Sequence, residues 1–219
     1  MEKSFITKVH NSTKRNYIER MINDKIHCMK IAKKYSFDYW DGNRKYGYGG
    51  YRFIPGRWTN IAKKIIKDYK LNNKSSILDL GCGKGYLLYE IKHILPNIKI
   101  LGLDYSKYAI INSKKEIKKY LKVRDIRKKF SFKKNQFDLV LSLGALHNFE
   151  LSDLMKTIKE INRIGKKKYI MVEAYRNDTE QFNLQCWALT CQTFLSKREW
   201  INLYKYLNYN GDFEFIYFK

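Results

Sequence analysis

Proline is almost missing from this chain of 219 residues, where Pro55 and Pro96 are the only two. There is no Pro/Ser-rich stretch and no internal repeat, so neither a flexible linker between large domains nor a solenoid is expected. Cysteine is sparse as well. Cys28, Cys82, Cys186 and Cys191 show no C-x-x-C spacing and do not cluster with the four histidines. That argues against a metal site and reads as free thiols in a reducing cytoplasm. No apolar run approaches the roughly eighteen residues a membrane helix needs. The first thirty residues lack the apolar core of a signal peptide. Acidic residues are the last scarcity: 21 Asp and Glu face 44 Lys and Arg, a formal charge of +23.

That charge draws attention to nucleic acid. Its distribution argues otherwise. Lysine dominates over arginine, alanine is scarce, and isoleucine, asparagine and tyrosine are abundant, as in a compositional drift spread over every surface. Runs such as Lys114-Lys115, Arg127-Lys128-Lys129 and Lys166-Lys167-Lys168 fall at expected helix ends or solvent faces, so a solvated surface is the preferred reading over an RNA groove. Hydrophobic residues make up 44% of the chain, enough for a real core. One α/β domain with a small appendage fits the length.

Residues 1–40 read as helical, with Ile18, Met21, Ile22, Ile26 and Met29 at three- and four-residue steps. From Tyr39 to Trp58 the texture changes to five glycines interleaved with aromatics and with Arg44, Arg52 and Arg57. Glycine at that density excludes a regular helix, and the aromatics are too many for a solvated linker. Thr59–Lys70 is helical again, and these first 70 residues form a cap on a domain spanning 71–219. From Ser76 strands and helices alternate: strands at 77–80, 98–103, 121–124, 137–143 and 169–174, helices at 86–95, 107–120 and 151–164, with Gly165 capping the last. This pattern gives a doubly wound, mostly parallel sheet with helices on both faces. Residues 178–195 are amphipathic, a helix covers 197–207, and the aromatic strand 212–218 is expected to join antiparallel.

The stretch Ser76–Leu88, SILDLGCGKGYLL, carries the strongest signal. A buried strand runs through Asp79 into Gly81-Cys82-Gly83-Lys84-Gly85 and then into a helix, the arrangement that offers backbone N–H groups to a nucleotide-like ligand. A dinucleotide fingerprint would need glycine at 86, where this chain has Tyr86. Asp104 ends the second strand, where an acid can take both ribose hydroxyls of either a nicotinamide cofactor or S-adenosylmethionine. Asp125 in VRDIR ends the third. It is either an adenine contact with Ile126 on the ring, or an ordinary strand-end aspartate at a turn.

Taken in order, ILDLGCGKG, LGLDYS, RDI, FDLVLSLGALHNF and IGKKKYIMVEAYR resemble the class I, Rossmann-like S-adenosylmethionine-dependent methyltransferases over about residues 75–175. The resemblance implies a cofactor site of Asp79, Gly81, Cys82 and Gly83 around the methionine half, Asp104 and Tyr105 at the ribose, Asp125 and Ile126 at the adenine, and Ser142 and Leu143 beside the sulfonium. It implies no metal. The chain lacks the Asn/Asp-Pro-Pro-aromatic tetrapeptide and the Pro-Cys pair of base-methylating relatives, having Ser142-Leu143-Gly144-Ala145 instead.

For the reaction, His147 offers a base or a substrate donor, unless it is only a helix-start histidine. Tyr175 is the second catalytic candidate. Glu173 and Arg176 join it at the end of the fifth strand as substrate contacts, with Glu173 and Tyr175 on one face by strand alternation. The aromatic loop adds Tyr46, Tyr48, Tyr51, Arg52, Arg57 and Trp58, as a lid over substrate or as packing for the cap. Trp187, Cys191 and Trp200 read as core. The expected activity is methyl transfer to an oxygen or nitrogen of a small anionic or hydroxylated metabolite. An RNA methyltransferase and a non-catalytic scaffold of the same fold are the alternatives, and other S-adenosylmethionine chemistry stays open.

Overall fold

The computed structural model describes all 219 residues. Four short helices come first, α1 (Thr7–Asn11), α2 (Tyr17–Ile22), α3 (Lys25–Ala32) and α4 (Phe37–Trp40), then α5 (Thr59–Asp68). The alternating part follows: β1 (Ser76–Leu80), α6 (Tyr86–Ile94), β2 (Lys99–Asp104), α7 (Lys107–Ile111), α8 (Lys115–Lys118), β3 (Leu121–Val123), β4 (Phe137–Leu143), α9 (Leu151–Ile164) and β5 (Gly165–Glu173). The chain closes with α10 (Asp178–Trp187), α11 (Lys197–Tyr206) and β6 (Asp212–Ile216). No helix is long and apolar enough to cross a membrane.

The six strands form one sheet in the order β3-β2-β1-β4-β5-β6. Strand β1 is apolar on both faces because both are covered: Ile77 packs with α5 and α6 residues such as Ile65 and Ile91, while Leu78 and Leu80 pack with Ile158 of α9 and Trp200 of α11. Strand order reverses between β1 and β4, so a crevice opens at their carboxyl ends, where such sheets take ligands.

Four expectations need correction. Strand β6 is parallel to β5, with Tyr169 opposite Asp212 and Glu173 opposite Ile216, rather than antiparallel. The reason is α11, which buries Trp200 and Tyr204 against the sheet and carries the chain back to the end from which β5 started. The amino-terminal region is broken into short helices capped by Asn16 and Asp24, and Ile18, Met21, Ile22 and Ile26 face solvent, while Cys28 and Ala32 turn inward. The expected helix 107–120 is interrupted between α7 and α8. Gly165 opens β5 in extended conformation, which puts Lys166–Lys168 in the sheet and buries Lys168 against Asn210.

A buried carboxylate fastens the amino terminus to the sheet. Glu214 on β6 accepts from the backbone N–H groups of Phe5, Ile6 and Thr7, and from the Tyr169 hydroxyl. Full burial of a carboxylate is tolerated here because every donor points at it.

Candidate functional site

The turn from β1 into α6 is shaped by what lies against it. Gly81 has φ of +82°, and a Cβ there would stand 2.3 Å from the Ala145 Cβ. Any side chain would push the β4 loop away. At Gly83 the obstacle is the Trp40 ring, 2.9 Å from where a Cβ would be. The Asp104 carboxylate ties this turn to β2, accepting from Gly83 N and Ser106 N at 2.7 Å each. The Ser106 hydroxyl caps α7 and takes a hydrogen bond of 2.9 Å from Trp40 Nε1. Lys84, inside the glycine turn, donates to both Asp41 oxygens and to the Tyr51 carbonyl. The cap and the glycine turn therefore form one hydrogen-bonded unit.

A cavity of about 320 Å³ lies over this unit. Gly81, Asp104, Tyr105, Asp125, Ile126 and Leu143 line it from the sheet, and Tyr35, Tyr39, Trp40 and Tyr48 from the cap. Burial and the neighbouring Asp104 push the Asp79 carboxyl up to about 7, and burial raises Asp104 as well. Asp79 Oδ1 is buried without a partner. Asp104 lines the cavity and suits hydroxyl donors, while Asp79, with its idle oxygen, is buried and is not among the lining residues. Asp125 is lowered instead, because Arg127 Nε and Nη2 donate to it at 2.9 and 2.8 Å.

A second cavity of about 350 Å³ adjoins the first, and Tyr39 and Tyr48 line both. Its wall carries Arg20, Arg44, Arg52 and Arg57, the aromatics Tyr51, Trp58 and Trp187, and a single carboxylate, Glu173. His147 lies behind Glu173, buried. Its Nδ1 accepts from Glu173 N at 3.3 Å, and its Nε2 is 3.4 Å from Glu173 Oε2. Burial lowers the His147 pKa against the opposing pull of Glu173, so the ring is neutral near pH 7 and presents Nε2–H to the carboxylate.

Several expected site residues stand elsewhere. Ser142 is fully buried, its hydroxyl donating to the Leu80 carbonyl and locking β4 to β1. Cys82 turns towards Gly102 rather than into the cavity. Tyr46 packs near Cys28 and His27. Tyr175 and Arg176 lie past the end of β5, where alternation stops. They line a separate open groove, with Arg176 paired to Glu180. Conversely, the cavities are lined by Tyr39, Trp40 and Arg20, which the sequence does not mark as site residues, and by Trp187, which it marks as core. Tyr39 and Trp40 belong to the glycine-aromatic stretch that marked the region, whereas Arg20 carried no local signal.

Comparison with known proteins bears on this arrangement. A methyltransferase-domain model matches residues 71–211. The chain belongs to the methyltransferase-domain family. S-adenosylmethionine is the methyl donor that membership brings. This methyltransferase-domain chain is 23% identical to the demethylmenaquinone methyltransferase of Thermotoga maritima, over 78% of its own length and 72% of that protein's. It is 28% identical to the mouse mitochondrial arginine-hydroxylase NDUFAF5 over 61% of its length, spanning only 36% of that relative. Among solved structures, YcgJ from Bacillus superposes with a TM-score of 0.53 at 17% identity, covering 67% of this chain and 66% of that one. A chain from the complex between the Haloferax volcanii Trm112 methyltransferase activator and a methyltransferase superposes at 0.51, with 20% identity and coverage of 71% and 77%. These likenesses fix the fold. The match begins at residue 71, so the cap that roofs both cavities lies outside it.

Proposed function

We propose that this protein transfers a methyl group from S-adenosylmethionine to an oxygen or nitrogen of a small anionic or hydroxylated metabolite. The observation that carries the reading is the pair of adjoining cavities sharing Tyr39 and Tyr48, the second ringed by arginines around one carboxylate. In this reading residues 71–219 are the cofactor-binding domain, and residues 1–70 are the cap that completes both sites.

Bound in the first cavity, the cofactor supplies a methyl group already activated on a sulfonium. The chain's residues then have to hold, orient and keep water out. Asp79 would take the ammonium, relieving its unpartnered oxygen, while the turn at Gly81 and Gly83 lets the methionine half approach the backbone. Asp104 would accept the ribose hydroxyls with the lone pairs not used by Gly83 and Ser106. Tyr105 and Ile126 would enclose the adenine, and Asp125 would accept from its amino group. Leu143 would wall the passage beside the sulfonium.

On the acceptor side Arg52 and Arg57 would attract the substrate's negative charge, with Tyr48 and Trp58 against its body. Glu173 would hold the proton that the acceptor oxygen or nitrogen gives up. His147, inaccessible itself, acts as a positioning residue by aiming the Glu173 carboxylate. The decisive experiment incubates the full chain with trideuteromethyl-labelled S-adenosylmethionine and a metabolite extract alongside total RNA. Label on an anionic small molecule is the expected result. Label found only in RNA, or in neither fraction while the cofactor still binds, overturns the acceptor assignment.

A further inference from the structure

We propose that the acceptor is a phosphate ester and that Arg20 and Arg44, laid against Trp187 at the mouth of the second cavity, bind its phosphate. This rests on the methyl-transfer reading above and names the anionic group that reading leaves open.

The guanidinium carbons of Arg20 and Arg44 stand 4.6 and 5.1 Å from the Trp187 ring centroid, and Arg15 stands 5.4 Å away. Backbone carbonyls hold the two nearer ones in place. Arg20 donates to the carbonyls of Arg44 and Trp187, and Arg44 to those of Gly47 and Tyr48. None of these contacts neutralises charge. Arg15, Arg20 and Arg44 take part in none of the protein's ion pairs. Lys25 adds a fourth cation, its ammonium spent on the carbonyls of Gln185, Cys186 and Ala188 at the end of α10.

Such a cluster is under electrostatic stress. Burial first, then the charge of Arg44, brings Arg20 down to about 10, and burial with the charge of Arg20 brings Lys25 down to about 8. Cations fixed by neutral acceptors, crowded together and in no ion pair, with Glu173 the one carboxylate of their cavity, form a preorganised anion site. Two adjacent guanidiniums with unused N–H groups match the three oxygens and double charge of a phosphate better than a carboxylate, which neutralises only one of them.

Position supports the assignment. Arg20, Arg44 and Trp187 line the second cavity and also the shallow outer groove that holds Lys14 and Lys45. They therefore mark the junction between the interior and solvent. An acceptor anchored there by its phosphate presents its other end inward, to Glu173 and to the Tyr39–Tyr48 wall shared with the cofactor cavity.

The test is calorimetry on the full chain with S-adenosylhomocysteine bound, using inorganic phosphate, pyrophosphate and acetate as probes. Phosphate and pyrophosphate are expected to bind and acetate is not. Substituting R20Q together with R44Q should weaken pyrophosphate at least about tenfold, the effect of losing charge-assisted hydrogen bonds. R20K with R44K keeps the charge and should weaken it by a smaller factor, about threefold, because the planar fork is lost. K197Q with K205Q, in the separate basic groove, should change nothing. Three results overturn the proposal: acetate binding as well as pyrophosphate, pyrophosphate binding equally to wild type and both arginine variants, or K197Q/K205Q losing as much as R20Q/R44Q. If R20Q/R44Q fails to fold, the lysine pair alone decides. Wild type that binds pyrophosphate but not S-adenosylhomocysteine overturns instead the methyl-transfer reading, and with it the phosphate's assignment to an acceptor.

Discussion

The two cavities on either side of Tyr39 and Tyr48 are made of different material. The cavity proposed for the cofactor has a floor of strand ends and the turns after them: Asp104 and Leu143 close β2 and β4, while Gly81 and Asp125 lie just past β1 and β3. The second cavity is walled almost wholly by cap loops and the end of α10, with Glu173 as its one residue from a strand. Asp104 tolerates burial because the backbone N–H groups of Gly83 and Ser106 donate to it, whereas Asp79 on the neighbouring strand keeps an unpartnered oxygen. The second cavity instead carries long arginines from α2 and the loops, two of which, Arg20 and Arg44, are held by backbone carbonyls. In the proposed reading the strand-end cavity is the rigid, general side, and the second cavity is where this chain would set its own specificity.

If the two cavities do separate jobs, variants should separate too. The largest effect is expected from Glu173→Gln, which removes the proton-holding carboxylate. Methyl transfer should fall by about 10²–10⁴-fold while calorimetric affinity for S-adenosylhomocysteine stays unchanged. Equal loss of both would show that the cavities are one. Next, Asp104→Ala should weaken S-adenosylhomocysteine at least about tenfold and also lower the melting temperature, since Gly83 N and Ser106 N lose their acceptor. Unaltered affinity would remove the ribose assignment.

Asp79→Asn sharpens the contrast through pH. The native carboxyl, pushed up to about 7, binds its proton more tightly than the unfolded one. Its contribution to stability is therefore full at low pH and is lost as pH rises from about 4 through about 7. Asparagine abolishes that slope, so ligand-free Asp79→Asn should melt higher than wild type at pH of about 8, yet bind S-adenosylhomocysteine more weakly. A lower melting point there would mean that Asp79 is satisfied without ligand. The smallest effect is expected from Arg57→Gln, a raised acceptor KM of about threefold to tenfold with kcat nearly kept, in line with an exposed charge contact. A fall in kcat alone would move Arg57 from binding to chemistry.

The strand-end cavity could be anticipated from the chain because its residues are local to strand ends. An apolar run, a glycine turn and an acid after the next strand repeat at helix-length intervals, and each carries its own signature. The antiparallel expectation for β6 failed because direction is set by the crossover α11, not by the strand's own residues. Extending alternation to Tyr175 failed for a related cause: β5 ends at Glu173, and beyond it the backbone turns away.

By itself the sequence determined the parallel α/β core, the glycine turn and the acids at the ends of its strands, since hydrophobic period and backbone freedom act over a few neighbouring residues. Only the tertiary structure decided that Trp40 seals the glycine turn, that Lys84 pairs with Asp41, and that Arg20, Arg44 and Trp187 meet at one mouth. Those contacts join residues up to 167 positions apart, as between Arg20 and Trp187. Nothing in a local pattern encodes which loops the closing of a core will bring together.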